Sequence, residues 1–170
     1  RRVLFRSDAT QGRSSGMVVN AITKSGTNPP TGTFGGYFRS DRFNANDFIL
    51  NRKLPYSNQQ FSTTFGGPLI KDRLHFFGSY EFEHEPRTFN SNVTGAYAFL
   101  NRDVTYPKKQ HTATERLDWQ LTPQTRIVGR VTQFYTDFFQ GGTPTSPIGG
   151  TRTRIAPQYF GTLTHVFGAN

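Results

Sequence analysis

Residues 74–85 alternate between two chemistries, and that alternation constrains the fold more than any other feature of the chain. Leu74, Phe76, Gly78, Tyr80 and Phe82 share one parity, while His75, Ser79, Glu81, Glu83 and Glu85 share the other, with Phe77 the single apolar intruder. Successive side chains of a strand point to opposite faces, so this is a β-strand with an apolar side and an acidic side. Its length is generous for a soluble strand and suits a tilted strand crossing a bilayer. The apolar side is aromatic rather than aliphatic, as on the lipid face of a membrane barrel.

Composition narrows the class. Aromatic residues reach 15%, with 17 Phe and 17 Gly, while the hydrophobic fraction is 34%. That mixture favours strands and turns over a helical bundle. No run of 18 or more apolar residues is present, so no helix of this chain is apolar enough to span a membrane. Cys is absent, which removes disulfide, thiol and zinc-cluster chemistry. Residues 1–7 (RRVLFRS) match the translation of a common sequencing adapter and are expected to be a scar rather than part of the domain. They carry three of the 20 basic residues, leaving 17 against 11 acidic ones, a balance of +6. These cations are scattered and form no run of four, which argues against nucleic acid as a partner.

Candidate strands fall at 33–40, 60–66, 74–85, 110–121, 126–135 and 158–167. Residues 67–73 and 122–125 read as short turns, whereas 41–59, 86–109 and 136–157 read as long loops rich in Asn, Pro, Gly and Thr. Short turns at one end and long loops at the other are the layout of an outer-membrane barrel. In 110–121 the apolar parity holds Ala113, Leu117, Trp119 and Leu121, with Glu115 out of place, against Thr112, Thr114, Arg116, Asp118 and Gln120. In 126–135 Arg126, Arg130 and Thr132 oppose Ile127, Gly129, Val131 and Tyr135.

Several catalytic or metal-binding readings fail on spacing. Lys24-Ser25-Gly26-Thr27 fits one element of penicillin-binding enzymes, but no Ser has Lys three residues on to serve as nucleophile. Strand alternation puts His84 opposite Glu81, Glu83 and Glu85, which breaks up a metal cluster. Asn44, Asn46 and Asp47 lack EF-hand spacing and suit turn hydrogen bonds. Asn92-Val93-Thr94 is a sequon that chance supplies freely, and His75, His111 and His165 are far apart. No catalytic residue, metal or cofactor is expected.

Residues 16–28 (GMVVNAITKSGTN), followed by Pro29-Pro30, resemble the end of the plug domain of TonB-dependent outer-membrane receptors. The plug-end motif falls on Gly16, Asn20, Thr23, Lys24 and Gly26, with Met17 where a second Gly is commoner. The likeness continues through Gly32-Thr33-Phe34, Tyr37-Phe38-Arg39, Asn44 to Phe48, Phe65 to Asp72, Phe76 to Glu81, Arg116 to Leu121 and Gly129-Arg130. This ordered series covers nearly all of 12–170 and is similar to the Oar-like branch, whose members usually carry an N-terminal carboxypeptidase-regulatory-like domain. It implies an all-β fold: an antiparallel transmembrane β-barrel fragment, an open sheet of about six strands, preceded by the end of a plug. The implied division is 8–30 for the plug end and 31–170 for the first barrel strands.

The resemblance also implies energy-coupled uptake of a scarce external solute in a Gram-negative outer membrane. The partners would be the lipid bilayer, that solute, and a TonB–ExbB–ExbD complex engaged through a more N-terminal part. A passive porin-like barrel and a surface adhesin or assembly protein are the alternatives. Glu81, Glu83, Arg116, Asp118 and Arg130 are the candidate lumen-facing residues.

Parity also fixes an expected geometry. The 60–85 hairpin should turn at Lys71-Asp72, with Ile70 opposite Arg73, Phe65 opposite Gly78 and Ser62 opposite Glu81, although Pro68 invites a bulge. Asp118 and Arg130 should lie on the same inner face of neighbouring antiparallel strands, within ion-pair or diagonal reach, and the N-terminal segment should be loosely attached.

Overall fold

The computed structural model describes residues 23–48, 50–90, 93–143 and 146–168. Six strands form one antiparallel sheet in sequence order: β1 (Thr31–Ser40), β2 (Ser57–Ile70), β3 (Leu74–Asn90), β4 (Asp103–Thr122), β5 (Thr125–Thr143) and β6 (Ser146–His165). β1 and β6 are the sheet's two edges, and β3 is paired on both sides. The helical content of the described residues is two 3-10 turns, Asp41–Phe43 and Gly95–Leu100.

Register follows side-chain parity. Phe65 lies opposite Gly78, Thr63 opposite Tyr80, Phe61 opposite Phe82 and Ser62 opposite Glu81. On the other flank, Glu81 pairs with Thr112, Ser79 with Thr114 and Phe76 with Leu117. β5 continues the pattern, with Thr132 opposite Thr114 and Ile127 opposite Trp119. A slip of one residue would exchange the two faces of a strand, so like facing like locks the whole sheet.

The turn differs from the sequence expectation in one detail. Ile70 lies opposite Leu74, not Arg73, because the register shifts between Pro68 and Ile70. Pro68 has no N–H for the ladder, and the extra residue is taken up there as a bulge. Arg73 N–H still closes the turn on Ile70 O at 3.1 Å, with Asp72 in the left-handed region at φ 61°.

The larger correction concerns the loops. β3 runs on to Asn90 and β4 starts at Asp103, so the expected loop 86–109 shrinks to 91–102. The expected loop 136–157 is almost all strand, since β5 reaches Thr143 and β6 begins at Ser146. β2 likewise begins at Ser57, and β6 ends at His165 rather than at residue 167. These extensions mix polar and apolar residues on both faces, as at Phe138 and Phe139, so they lack the alternation by which a half-buried strand shows itself.

The sheet is inside-out by the standard of a soluble protein. No hydrophobic residue among those described is buried, whereas Glu85, Asp118 and Thr136 are. Phe34 is 79% exposed, Leu117 49% and Tyr159 76%, all on the apolar face. Glu115 stays on that face too, opposite Gly78 and Val131. Lipid supplies the cover that a core supplies elsewhere.

A charge on the apolar face should therefore cost far more than one on the polar face. In the full-length protein refolded into phospholipid bilayers, Phe76→Arg should lose roughly 2 kcal/mol in urea unfolding, and Ser79→Arg less than about 0.5 kcal/mol. Equal losses would overturn the assignment of faces.

Candidate functional site

The polar face carries two built regions, one at each end of the strands. At the end with the short turns 71–73 and 123–124, the segment 23–30 lies against β2, β3 and β4. Arg116 and Asp118 are two residues apart on β4 and so share a face. The Arg116 guanidinium grips the Asp118 carboxylate with both Nε (2.7 Å) and Nη2 (2.8 Å). Its remaining nitrogen, Nη1, donates to Thr23 O at 2.6 Å and Thr23 Oγ1 at 2.9 Å. Arg126 of β5 donates from Nη2 to Asp118 Oδ1 at 2.6 Å. Asp118 is only 6% exposed, and two guanidinium groups compensate its burial.

Asn28 makes a second clasp. Its Oδ1 accepts from the backbone N–H of Asp72 (3.0 Å) and meets His75 Nε2 at 2.8 Å. Its Nδ2 donates to the Asp72 carboxylate. An amide oxygen only accepts, so this contact places the His75 proton on Nε2. Between the two clasps, Gly26 lies directly on the sheet. A Cβ there would collide with Phe76 O and approach Gly67 O to 2.9 Å, and Gly66 and Gly67 are both buried beneath. Bare backbone meeting bare backbone is what this approach requires.

The described part of the N-terminal segment is thus tied down by several hydrogen bonds, contrary to the expectation of loose attachment. Gly16 and Asn20 lie outside the described residues; Thr23 and Gly26 take part in the docking, and Lys24 is exposed. Asp118 and Arg130 share the polar face of neighbouring antiparallel strands and stand diagonally across them, as parity predicts, with Asp118 opposite Val128 and Arg130 opposite Arg116. The ion pairs of Asp118 go to Arg116 and Arg126, and Arg130 stacks on the Phe160 ring at 5.1 Å. The sequence reading missed Arg126, Asn28 and His75. The i+8 spacing of Asp118 and Arg126 across a tight turn was the available signal for the first.

The second region lies at the far end. The loop 41–56 closes through Asp41 N–H to Tyr56 O (2.8 Å) and packs on the far ends of β3 and β4, meeting Glu85 on the polar parity and Thr88 and Asp103 on the other. Tyr56 OH donates to Glu85 (3.0 Å), Thr88 Oγ1 donates to Pro55 O (2.8 Å), and Arg52 bridges to Asp103 (2.7 Å). Glu83 accepts from Asn58 (2.9 Å) and Lys108 (2.8 Å), and Lys108 also reaches Glu85 at 3.7 Å. Glu81 and Glu83 share the face of Arg116, Asp118 and Arg130, and of those five Arg116 and Asp118 are joined by an ion pair. No group of three or more His, Cys, Asp or Glu residues that could hold a metal ion occurs among the described residues.

A sheet with an apolar face left uncovered, a charged opposite face and hairpins of this length defines a membrane-spanning β-protein. A family model described as an outer membrane beta barrel domain matches residues 22–98. This is an outer-membrane β-barrel protein of a Gram-negative cell envelope. No curated protein and no solved structure matches the chain.

Two tests follow from the geometry. Asp118→Ala leaves two facing guanidinium groups without their acid, and should cost about 3 kcal/mol in bilayer unfolding; Gly26→Ala should leave the sheet stable yet raise hydrogen exchange across residues 23–28. Protection unchanged in Gly26→Ala would show that the close approach is not required.

Asp103 opens β4 beside the 91–102 loop, ten residues before Ala113 where the apolar stretch of the strand begins, and so lies at its loop end. A hydrogen bond from Asn90, and then the Arg52 guanidinium, hold its carboxyl below the usual carboxylate range. A depressed acid stabilises above its unfolded pKa and loses that contribution as pH falls through the folded value. A fluorophore on the 41–56 loop should therefore report release only below about pH 4, and at every pH in Asp103→Asn.

Proposed function

We propose that the chain is the plug end and first six strands of a TonB-dependent receptor of the Oar-like type, which takes up a scarce external solute. The docking of Thr23, Gly26 and Asn28 on the polar face carries this reading. In a barrel the polar face lines the lumen, so a segment clasped there occupies the lumen from the short-turn end. Residues 8–30 are then the close of a plug and 31–170 the start of the wall around it; residues 1–7 lie outside the described residues.

Glu81, Glu83, Arg116, Asp118 and Arg130 become lumen wall. Arg116 and Asp118 are the plug anchor, and Glu83 braces the external loop through Lys108. A lumen wide enough to hold a plug belongs to a barrel of many more strands than six. A plug closes that lumen to passive flow, so work must come from outside the barrel. The TonB–ExbB–ExbD complex would supply it by pulling on the more N-terminal part of the plug. No bond of the solute is broken in this scheme, so the protein is a transporter and not an enzyme.

Labelled solutes whose uptake disappears on deleting the gene define the substrate pool. Uptake of that pool should stop when TonB is deleted or an uncoupler collapses the proton gradient, while surface binding persists. Gene-dependent uptake that continues at full rate without TonB would favour a passive porin-like barrel.

A further inference from the structure

Between the 41–56 loop and the far end of β3 lies a cavity of about 440 Å³, walled in part by Arg39, Asn44, Lys53, Leu54, Tyr56 and Glu85. The acids near it are already committed. Glu85 accepts from Tyr56 and faces Lys108, and Asp47 Oδ1 accepts from the Leu50 N–H at 2.9 Å. The cations are not committed to acids. Among the described residues the Arg39 side chain makes one hydrogen bond, a long 3.5 Å contact to Asn44 Oδ1, and stacks on the Tyr56 ring at 5.1 Å. Lys53 donates once, to Arg42 O at 3.0 Å. Two cations with unused donors thus line a pocket together with Tyr56, Leu54 and the committed acids Asp47 and Glu85.

We propose that this pocket is an anion-binding subsite, accepting a carboxylate or phosphate carried on an aromatic or apolar body. Arg39 offers a planar fork to two anion oxygens and Lys53 a point charge beside it. Tyr56 holds the fork in place from below, as a cation–π partner, and offers its ring edge to the ligand body. The volume suits a small molecule. Arg39 and Glu85 stand on the polar parity of the sheet, opposite the lipid-covered one, so the ligand is a soluble solute and not a lipid headgroup. This rests on the reading of that face as a solute path, and supplies the chemical class which that reading leaves open.

The test is direct binding of phenyl phosphate and benzoate to the purified full-length protein by calorimetry, with phenol as the neutral control. Both anions should bind and phenol should not. Arg39→Gln and Lys53→Gln should each weaken anion binding roughly tenfold, the loss of one charge-assisted contact, and together abolish it. Lys53→Arg should retain binding, and Arg152→Gln, which removes a distant cation paired with Gln140, should change nothing. Lys53 is exposed on the loop, so its replacement leaves the fold intact. Failure of either anion to bind the wild type, or undiminished binding in the double variant, would overturn the proposal. TonB is absent from this assay, so the subsite and energy-coupled uptake can fail independently.

Discussion

Everything in this sheet depends on one constraint: each strand must keep its apolar parity on the same side as its neighbours'. In lipid the backbone must satisfy its own hydrogen bonds, and an antiparallel ladder does that only in discrete registers. Half of those registers would turn Glu81 and Glu83 outward and Phe76 and Tyr80 inward. The observed pairing, from Phe65 with Gly78 to Ile127 with Trp119, keeps Glu81, Glu83 and Asp118 on one side, with Glu115 the exception. The absence of any buried hydrophobic residue among those described follows from this. The apolar surface has not failed to find a core; the bilayer stands in its place.

With the apolar face given to lipid, specific packing is left to the polar face, and it takes two forms. At the short-turn end, backbone meets backbone at Gly26 and Gly66, and Arg116 spends one side of its guanidinium on Asp118 and the other on Thr23. Asp118 would be costly to bury alone; between Arg116 and Arg126 it becomes the pivot that holds Arg116 aimed at the segment. At the far end a loop is braced by Tyr56 and Glu85, leaving cations around a cavity. One end is closed by contacts already made, and the other offers contacts not yet made.

Strand positions and pairing were legible wherever a strand crosses the apolar zone. There each residue type reports its own face, as at Leu74, Phe76 and Tyr80, and the parity of two strands fixes their register without knowledge of anything else. Legibility stopped where both faces mix polar and apolar residues. Thr88, Asn90, Asp103 and Thr105 carry no alternation, so the extensions of β3 and β4 read as loop. The bulge at Pro68 was signalled by the missing N–H, but its effect on Ile70 depended on how the turn closes.

By itself, then, the sequence determined the all-β class, the apolar and polar parities, the hairpin order and the presence of a segment unlike the strands before Pro29. These are local properties, set by the period of a strand and by turn chemistry. Only the tertiary structure decided which charges meet. Asp118 with Arg126 instead of Arg130, Asn28 with His75, and Tyr56 with Glu85 depend on strand stagger, on side-chain reach and on where a loop folds back. Such contacts join residues far apart in the chain, and a periodicity of two has no means of encoding a distance across the sheet.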